Sequence, residues 1–151
     1  MRLFASFFLF AAIALPAGDP PGFHLWTASE LKSLSKALAP KLNEHNSASQ
    51  QLAAETNYSF MVAHREGPGE AEYHETQADI FFVVSGSATL LYGGNLVDGK
   101  TTTPHEMRAA SISGASEKKL NAGDVVTIPA KMPHQMKADK EFSYFVVKVK
   151  Q

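Results

Sequence analysis

Residues 70–86 read EAEYHETQADIFFVVSG, and residues 123–134 read GDVVTIPAKMPH. Glu72 and His74 stand two apart, so on a strand their side chains share a face. Asp79 opens an apolar run and shares its face with Phe81 and Val83, and Gln77 joins them if the strand extends back that far. In the second stretch, a turn between Pro129 and Pro133 precedes His134, which opens the run to Met136. Imidazoles and carboxylates converging on one β face describe a site for a divalent metal. Neutral imidazole suits Zn, Cu, Fe and Ni, and carboxylate favours harder ions such as Mn. The other physical reading is a histidine hydrogen-bonded into a β domain with no ligand at all. Spacing by itself leaves both open.

Outward from these stretches the texture stays β. Tyr58–Ala63, Ile80–Val84, Ala88–Tyr92, Val125–Ile128, Gln135–Ala138 and Phe142–Val149 are short runs rich in Val, Ile, Phe and Tyr, separated by Gly, Pro and Asn. Ser85-Gly86 makes a tight connection between two of them. Many short strands with turn signals predict a barrel or sandwich. Ahead of them, Thr27 and Glu30 form a T-x-x-E capping box. Leu31, Leu34, Leu38 and Leu42 then recur at three- and four-residue steps, which predicts a helix packed on the outside of the domain. Pro40 ends or kinks it near Ala39. Residues 93–122 lack a strong strand pattern. A loop of that length is a lid or binding loop, or else an extended hairpin that lengthens the sheet, and length does not separate the two.

The chain has 151 residues, a length that suits one domain. Its formal net charge is -1 and no basic stretch follows a groove or helix face, so nucleic acid is not an expected partner. It has no cysteine, which removes disulfides, thiolate metal sites and cysteine nucleophiles. Residues 1–17 carry Arg2 as their only charge, followed by an apolar run from Leu3 to Leu15 and then small residues. This is the pattern of a secretory signal peptide, cleaved after Ala14 or, preferably, after Ala17, where the polar GDPPG stretch begins. The expected protein is therefore periplasmic or secreted and free of the membrane once cleaved; the alternative reading of the segment is an uncleaved N-terminal anchor, for which the apolar run is short. The expected organisation is a signal peptide over 1–17, a linker and helix over 18–50, and a barrel over 51–151 with an insertion at 93–122.

The two opening stretches resemble the paired motifs of the cupin superfamily. The first motif reads G-x5-H-x-H-x(3,4)-E-x6-G. His74 takes its second histidine, Asp79 its glutamate, and Gly86 follows at the required spacing. The second reads G-x5-P-x-G-x2-H-x3-N, and Gly123, Pro129 and His134 fall in register. The departures are Glu72 for the first histidine, Asp79 for the glutamate, Lys131 for a glycine and Ala138 for the asparagine. The resemblance implies an all-β cupin fold, the double-stranded β-helix or jelly-roll barrel, here with an N-terminal helix. It implies one divalent metal held by Glu72, His74, Asp79 and His134, with Asp79 reaching it directly or through water and Gln77 as a substitute. Glu72 makes such a site harder and more anionic, which favours Fe, Mn or Zn over Cu.

Association as a homodimer is also implied. So is either metal-dependent chemistry on a small molecule (dioxygenase, isomerase or lyase) or non-catalytic ligand binding by a barrel whose metal site has decayed. The inward wall is expected to include Met61, Phe81, Val83 and Met136. Phe23 and Trp26 are expected to pack on the barrel wall. The other histidines, His24, His45, His64 and His105, are weaker candidates, and the His105-Glu106 pair in the insertion either reaches the barrel mouth or is an ordinary surface-loop pair.

Overall fold

The computed structural model describes residues 18–151, and the expected signal segment lies outside them. Helix α1 (Ala28–Leu38) starts at the capping box. The Glu30 amide donates to Thr27 Oγ1 at 3.3 Å and the Thr27 amide donates to Glu30 Oε2 at 2.7 Å. A short 3-10 turn over Ala39–Lys41 carries Pro40, so the helix ends where the proline dictates. Thirteen strands follow among the described residues. The first five are β1 (Ser47–Ala54), β2 (Tyr58–Arg65), β3 (Pro68–His74), β4 (Gln77–Ser85) and β5 (Ser87–Tyr92). The region of the insertion forms β6 (Asn95–Val97), β7 (Lys100–Thr103), β8 (Glu106–Ala109), β9 (Ser111–Ser113) and β10 (Ser116–Asn121). The chain closes with β11 (Val125–Ile128), β12 (His134–Lys137) and β13 (Phe142–Lys150). The first barrel strand thus begins at Ser47, ahead of residue 51.

Two antiparallel sheets face each other. One runs β1-β2-β13-β4-β11 and the other β10-β5-β12-β3-β8-β7, with β6-β9 as a separate pair. Between them lies a core that includes Phe81, Val83, Leu90, Ile128, Met136, Phe142 and Val146. Strand alternation sends these inward and leaves the opposite residues for the outer faces. On the five-stranded sheet the outer face is covered by α1, which packs against β2, β13 and β4. The Trp26 ring seals this contact, with its centroid 5.1 Å from Phe60 and 5.5 Å from Phe145. Phe23, expected there too, remains 51% exposed, because the turn at Pro20–Gly22 carries the chain past the wall before Trp26 reaches it.

The insertion is not a bare loop. β10 pairs with β5, β8 pairs with both β3 and β7, and β6 pairs with β9. The hairpin alternative therefore holds, and β8 lies in the main sheet beside the first motif. Gly86 has φ +77°, and a Cβ there would stand 2.1 Å from the Glu141 carbonyl oxygen, so both conformation and space demand glycine between β4 and β5. Lys131, at the second motif's missing glycine, also lies in the left-handed region at φ +66°. Its amide donates to the His74 carbonyl at 2.8 Å, which ties the second motif's turn to the end of β3.

Candidate metal centre

The site is a product of strand register. In the six-stranded sheet, Glu72 of β3 lies opposite His134 of β12 on one side and Arg108 of β8 on the other. His74 lies opposite Glu106. In the facing sheet, Asp79 of β4 lies opposite Lys148 of β13. Residues paired across strands keep their side chains within reach of one another on one face. The seven side chains therefore meet at one end of the barrel without any loop having to deliver them.

Glu72, His74 and His134 each place one donor atom within 4.8 Å of the others. His74 and His134 are 2% and 3% exposed. The Nδ1–H of His74 donates to Glu106 Oε2 at 2.6 Å, and that of His134 to the Met132 carbonyl at 3.1 Å. Each bond leaves the lone pair on Nε2, the tautomer a metal-binding imidazole needs. His134 Nε2 is buried and has no hydrogen-bond partner among the described residues. An orphaned buried acceptor of this kind is costly unless something fills the space before it. Bonds of about 2.0–2.2 Å to one ion bring its ligands roughly 3–3.5 Å apart, so the trio would close on an ion by side-chain adjustment of about an ångström. The donor set and the orphaned nitrogen fit a divalent cation.

Asp79 sits beside that trio. It is 2% exposed, and its Oδ2 lies 3.2 Å from His74 Nε2 and 3.6 Å from His134 Nε2. Both its oxygens accept from Lys148 Nζ, at 2.9 and 3.1 Å, and the same ammonium lies 3.2 Å from His74 Nε2. Gln77, the suggested substitute, pairs with Lys150 at the end of β4 and is not among the clustered donors. Glu72 is held from behind. Arg65 Nη2 donates to Oε1 at 3.1 Å, and Arg108 Nη2 stands 3.4 Å from Oε2. Arg65 Nε also donates to the Tyr144 hydroxyl at 2.8 Å.

These contacts set the ionisation. Burial is the largest influence on Asp79 and opposes its charge, but His134, His74 and Lys148 outweigh it and hold the carboxyl far below the usual carboxylate range. Burial likewise opposes Glu72, and His134, Arg108 and Arg65 overcome it and lower its pKa. For His74, burial and Lys148 favour the neutral ring, yet Asp79 and Glu72 leave its pKa raised above the ordinary imidazole value. Burial pushes the Tyr144 phenol up, against the opposing pull of Arg65.

A cavity of about 260 Å³ opens onto this cluster from the five-stranded side. Met61, Phe81, Tyr144 and Val146 form its apolar floor, and Arg65, Arg108, Lys148, Glu70, Glu72 and Asp79 charge its walls. Val83 and Met136 point inward as expected, but they are packed in the core and do not line the cavity. In the insertion it is Glu106 that reaches the mouth. His105 turns away and pairs with Glu75 at 2.5 Å on the surface. His24 pairs with Glu55, His64 with Ser143 and Glu66, and His45 lies at the cavity rim, 3.5 Å from Glu70.

Sequence reasoning did not single out Lys148, Arg65 or Arg108 as parts of the site, and it raised Glu106 only in the pair with His105. One signal for the first two was present. Strand alternation puts Lys148 on the face of Tyr144 and Val146, and Arg65 on the face of Met61 and Ala63, so each is a charge on an inward row.

The barrel has the cupin fold. Solved structures with similar architecture include a cupin superfamily protein from Desulfitobacterium hafniense DCB-2, at TM-score 0.52 and 14% identity, covering 87% of this chain and 94% of that one. KdgF from Halomonas sp. aligns at TM-score 0.53 and 14% identity over 72% of this chain and 82% of its own. The DMSP lyase DddQ from Ruegeria pomeroyi DSS-3 aligns at TM-score 0.50 and 18% identity over 69% of this chain, which spans about half of that protein, 47%. No family model matches the chain, and no curated protein matches its sequence. At these identities the likeness is one of fold.

Proposed function

We propose that this chain is an exported, metal-dependent enzyme of cupin fold that acts on a small carboxylate-bearing molecule. In this reading Glu72, His74 and His134 hold one divalent ion, Fe, Mn or Zn, with Asp79 as a fourth ligand. The observation that carries it is the pair of buried imidazoles whose Nδ1 atoms are occupied and whose Nε2 atoms converge with a carboxylate, one of them orphaned. When bound, such an ion supplies Lewis-acid polarisation of a substrate oxygen.

The chain's own groups do the rest. The cavity is of small-molecule size, and its three cations, Arg65, Arg108 and Lys148, balance three carboxylates. A divalent ion leaves that wall two charges positive, which favours an anionic ligand. Tyr144 and Lys148 face the same space as possible proton donors. That supports lyase or isomerase chemistry, in which protons move, over a pocket that only activates dioxygen. The similarity in fold to a DMSP lyase is compatible with this choice.

A second reading has its own support: Lys148, seated on Asp79 and His74, could be the site's permanent cation in a metal-free binding module. One test separates the two. Protein purified without a polyhistidine tag should carry one metal per chain, and His74→Ala/His134→Ala should carry none while its far-ultraviolet circular dichroism stays that of a β-barrel. Equal metal content in the two proteins refutes the assignment. Export is proposed from the segment at 1–17; an intact mass beginning at Gly18 is the expected result, and an uncleaved chain in the membrane fraction would overturn it. Dimerisation is proposed through the outer edge of β11, where Val125 is 58% exposed beside Phe82 at 41%. Light scattering that returns a monomer mass excludes it.

A further inference from the structure

We infer that Lys148 is a tethered cation that shares its seat with the divalent ion, so that the ion binds only as the ammonium leaves; this rests on the metal reading above. A donor hydrogen pointed at His74 Nε2 from 3.2 Å occupies the lone pair a metal would use. The same ammonium engages both oxygens of Asp79, and Asp79 is itself in contact range of both imidazole Nε2 atoms. Ammonium and ion therefore compete for two of the four ligands, His74 and Asp79.

The backbone leaves only one way out. β13 is paired on both sides, with β2 and β4, and Lys148 lies directly opposite Asp79 in that register. Its Cα is fixed, but its stem is long and its side chain is 22% exposed on the wall of the cavity. The ammonium can therefore swing into the cavity without disturbing the strand. Arg65 and Arg108 differ from it in kind. They grip Glu72 itself, Arg65 at Oε1 and Arg108 at Oε2, so they orient that ligand and do not occupy its partners' lone pairs.

Two states follow. With the ammonium seated, Asp79 is its counter-ion and His74 its acceptor, and the buried cluster is assembled before any metal arrives. With the ion seated, Asp79 joins the ligands and Lys148 adds its charge to the cavity wall. Lys148 then sets the metal affinity from outside the ligand set, and it links metal binding to a more cationic cavity.

Zn(II) is the probe, titrated calorimetrically into wild type, Lys148→Met and Lys148→Arg. Lys148→Met keeps the stem's bulk and removes the charge, so it should bind one Zn(II) about tenfold or more tightly than wild type. Lys148→Arg retains the charge and should show no such gain. Equal or weaker binding by Lys148→Met overturns the inference and leaves the metal site standing. Failure of all three proteins to bind Zn(II) overturns the metal reading, and the inference falls with it. A measurement on wild type stands independently of whether the variants fold. Acetylation of Lys148 by an amine reagent, followed by peptide mass spectrometry, should speed up several-fold when saturating Zn(II) is added. An unchanged rate with Zn(II) bound overturns the displacement.

Discussion

At the barrel mouth the six-stranded sheet presents His74, His134 and Glu72, and the five-stranded sheet facing it presents Asp79 beneath Lys148. The first wall is built to give lone pairs away. Its imidazoles are aimed by Glu106 and the Met132 carbonyl, and its carboxylate is braced by Arg65 and Arg108. The second wall is already satisfied, with a buried carboxylate and an ammonium in mutual contact. Side chains of similar type thus play different parts because their cross-strand partners differ. Glu72 and Asp79 are both inward carboxylates gripped by cations, yet the arginines on Glu72 only brace it, whereas the ammonium on Asp79 also contacts His74 Nε2.

Substitutions on the two walls should separate these roles. Asp79→Asn should cost the most stability, because it leaves Lys148 without a counter-charge in a largely buried place. Breaking a buried pair costs about 3–5 kcal/mol, and partial exposure of Lys148 brings the expected loss to roughly 2–3 kcal/mol. Urea unfolding measures it. A loss below about 0.5 kcal/mol, the range of an ordinary surface substitution, would mean that the second wall holds nothing together.

Glu106→Gln should act on the first wall alone. It exchanges the charged carboxylate that orients His74 for a neutral amide, which weakens that bond, and comparable changes lower metal affinity about 10–100-fold. Stability without metal should move far less. A Glu106→Gln protein that binds Zn(II) like wild type would show that His74 is aimed by something else.

The two walls should also respond to pH in opposite senses. Asp79 has a depressed folded pKa, so its contribution to stability is present above the ordinary carboxylate value of about 3.9 and is lost as the pH falls through its folded value. His74 has a raised folded pKa, so its contribution is complete below about 6.5 and is lost as the pH rises through its folded value. The melting temperature of the metal-free protein should therefore fall below about pH 4 and also decline gently on the alkaline side of 6.5. A melting temperature that climbs steadily from pH 6 to 8 would contradict the assignment for His74.

The smallest effect expected is at the turn that joins the walls. Lys131 adopts a left-handed conformation that costs a non-glycine residue about 1 kcal/mol. Lys131→Gly should recover up to about that much, less the entropy that glycine adds to the unfolded chain. A loss of stability on this change would mean that the lysine side chain has a role of its own.

The motif strands were legible because they are apolar, bounded and regular. Val125–Ile128 appears in the structure with the same ends, and Phe142–Val149 differs by one residue at Lys150. β1 was not legible, since SASQQLAA has little of the β-branched or aromatic content that marks a strand, and its place comes from pairing with β2. The strands of the insertion are three to six residues long and mostly polar, so only their partners define them. His74, His134 and Asp79 were found because the motif spacing encodes them. Lys148 was missed because its bond to Asp79 spans 69 residues and is a fact of register: strand alternation marks it as a charge on an inward row but does not name its partner. Arg108 was hidden for the same reason, and Glu106 was noticed only beside His105, in the segment whose pattern left a loop and a hairpin equally open.

The most direct measurement of the central claim is an anomalous difference map from crystals grown with Zn(II) or Mn(II). One peak per chain is expected, within about 2.0–2.2 Å of His74 Nε2, His134 Nε2 and a Glu72 oxygen, with the Lys148 ammonium moved off Asp79 into the cavity. No peak among these three residues at a metal concentration that saturates binding in solution, with Lys148 still seated on Asp79 and His74, would contradict it.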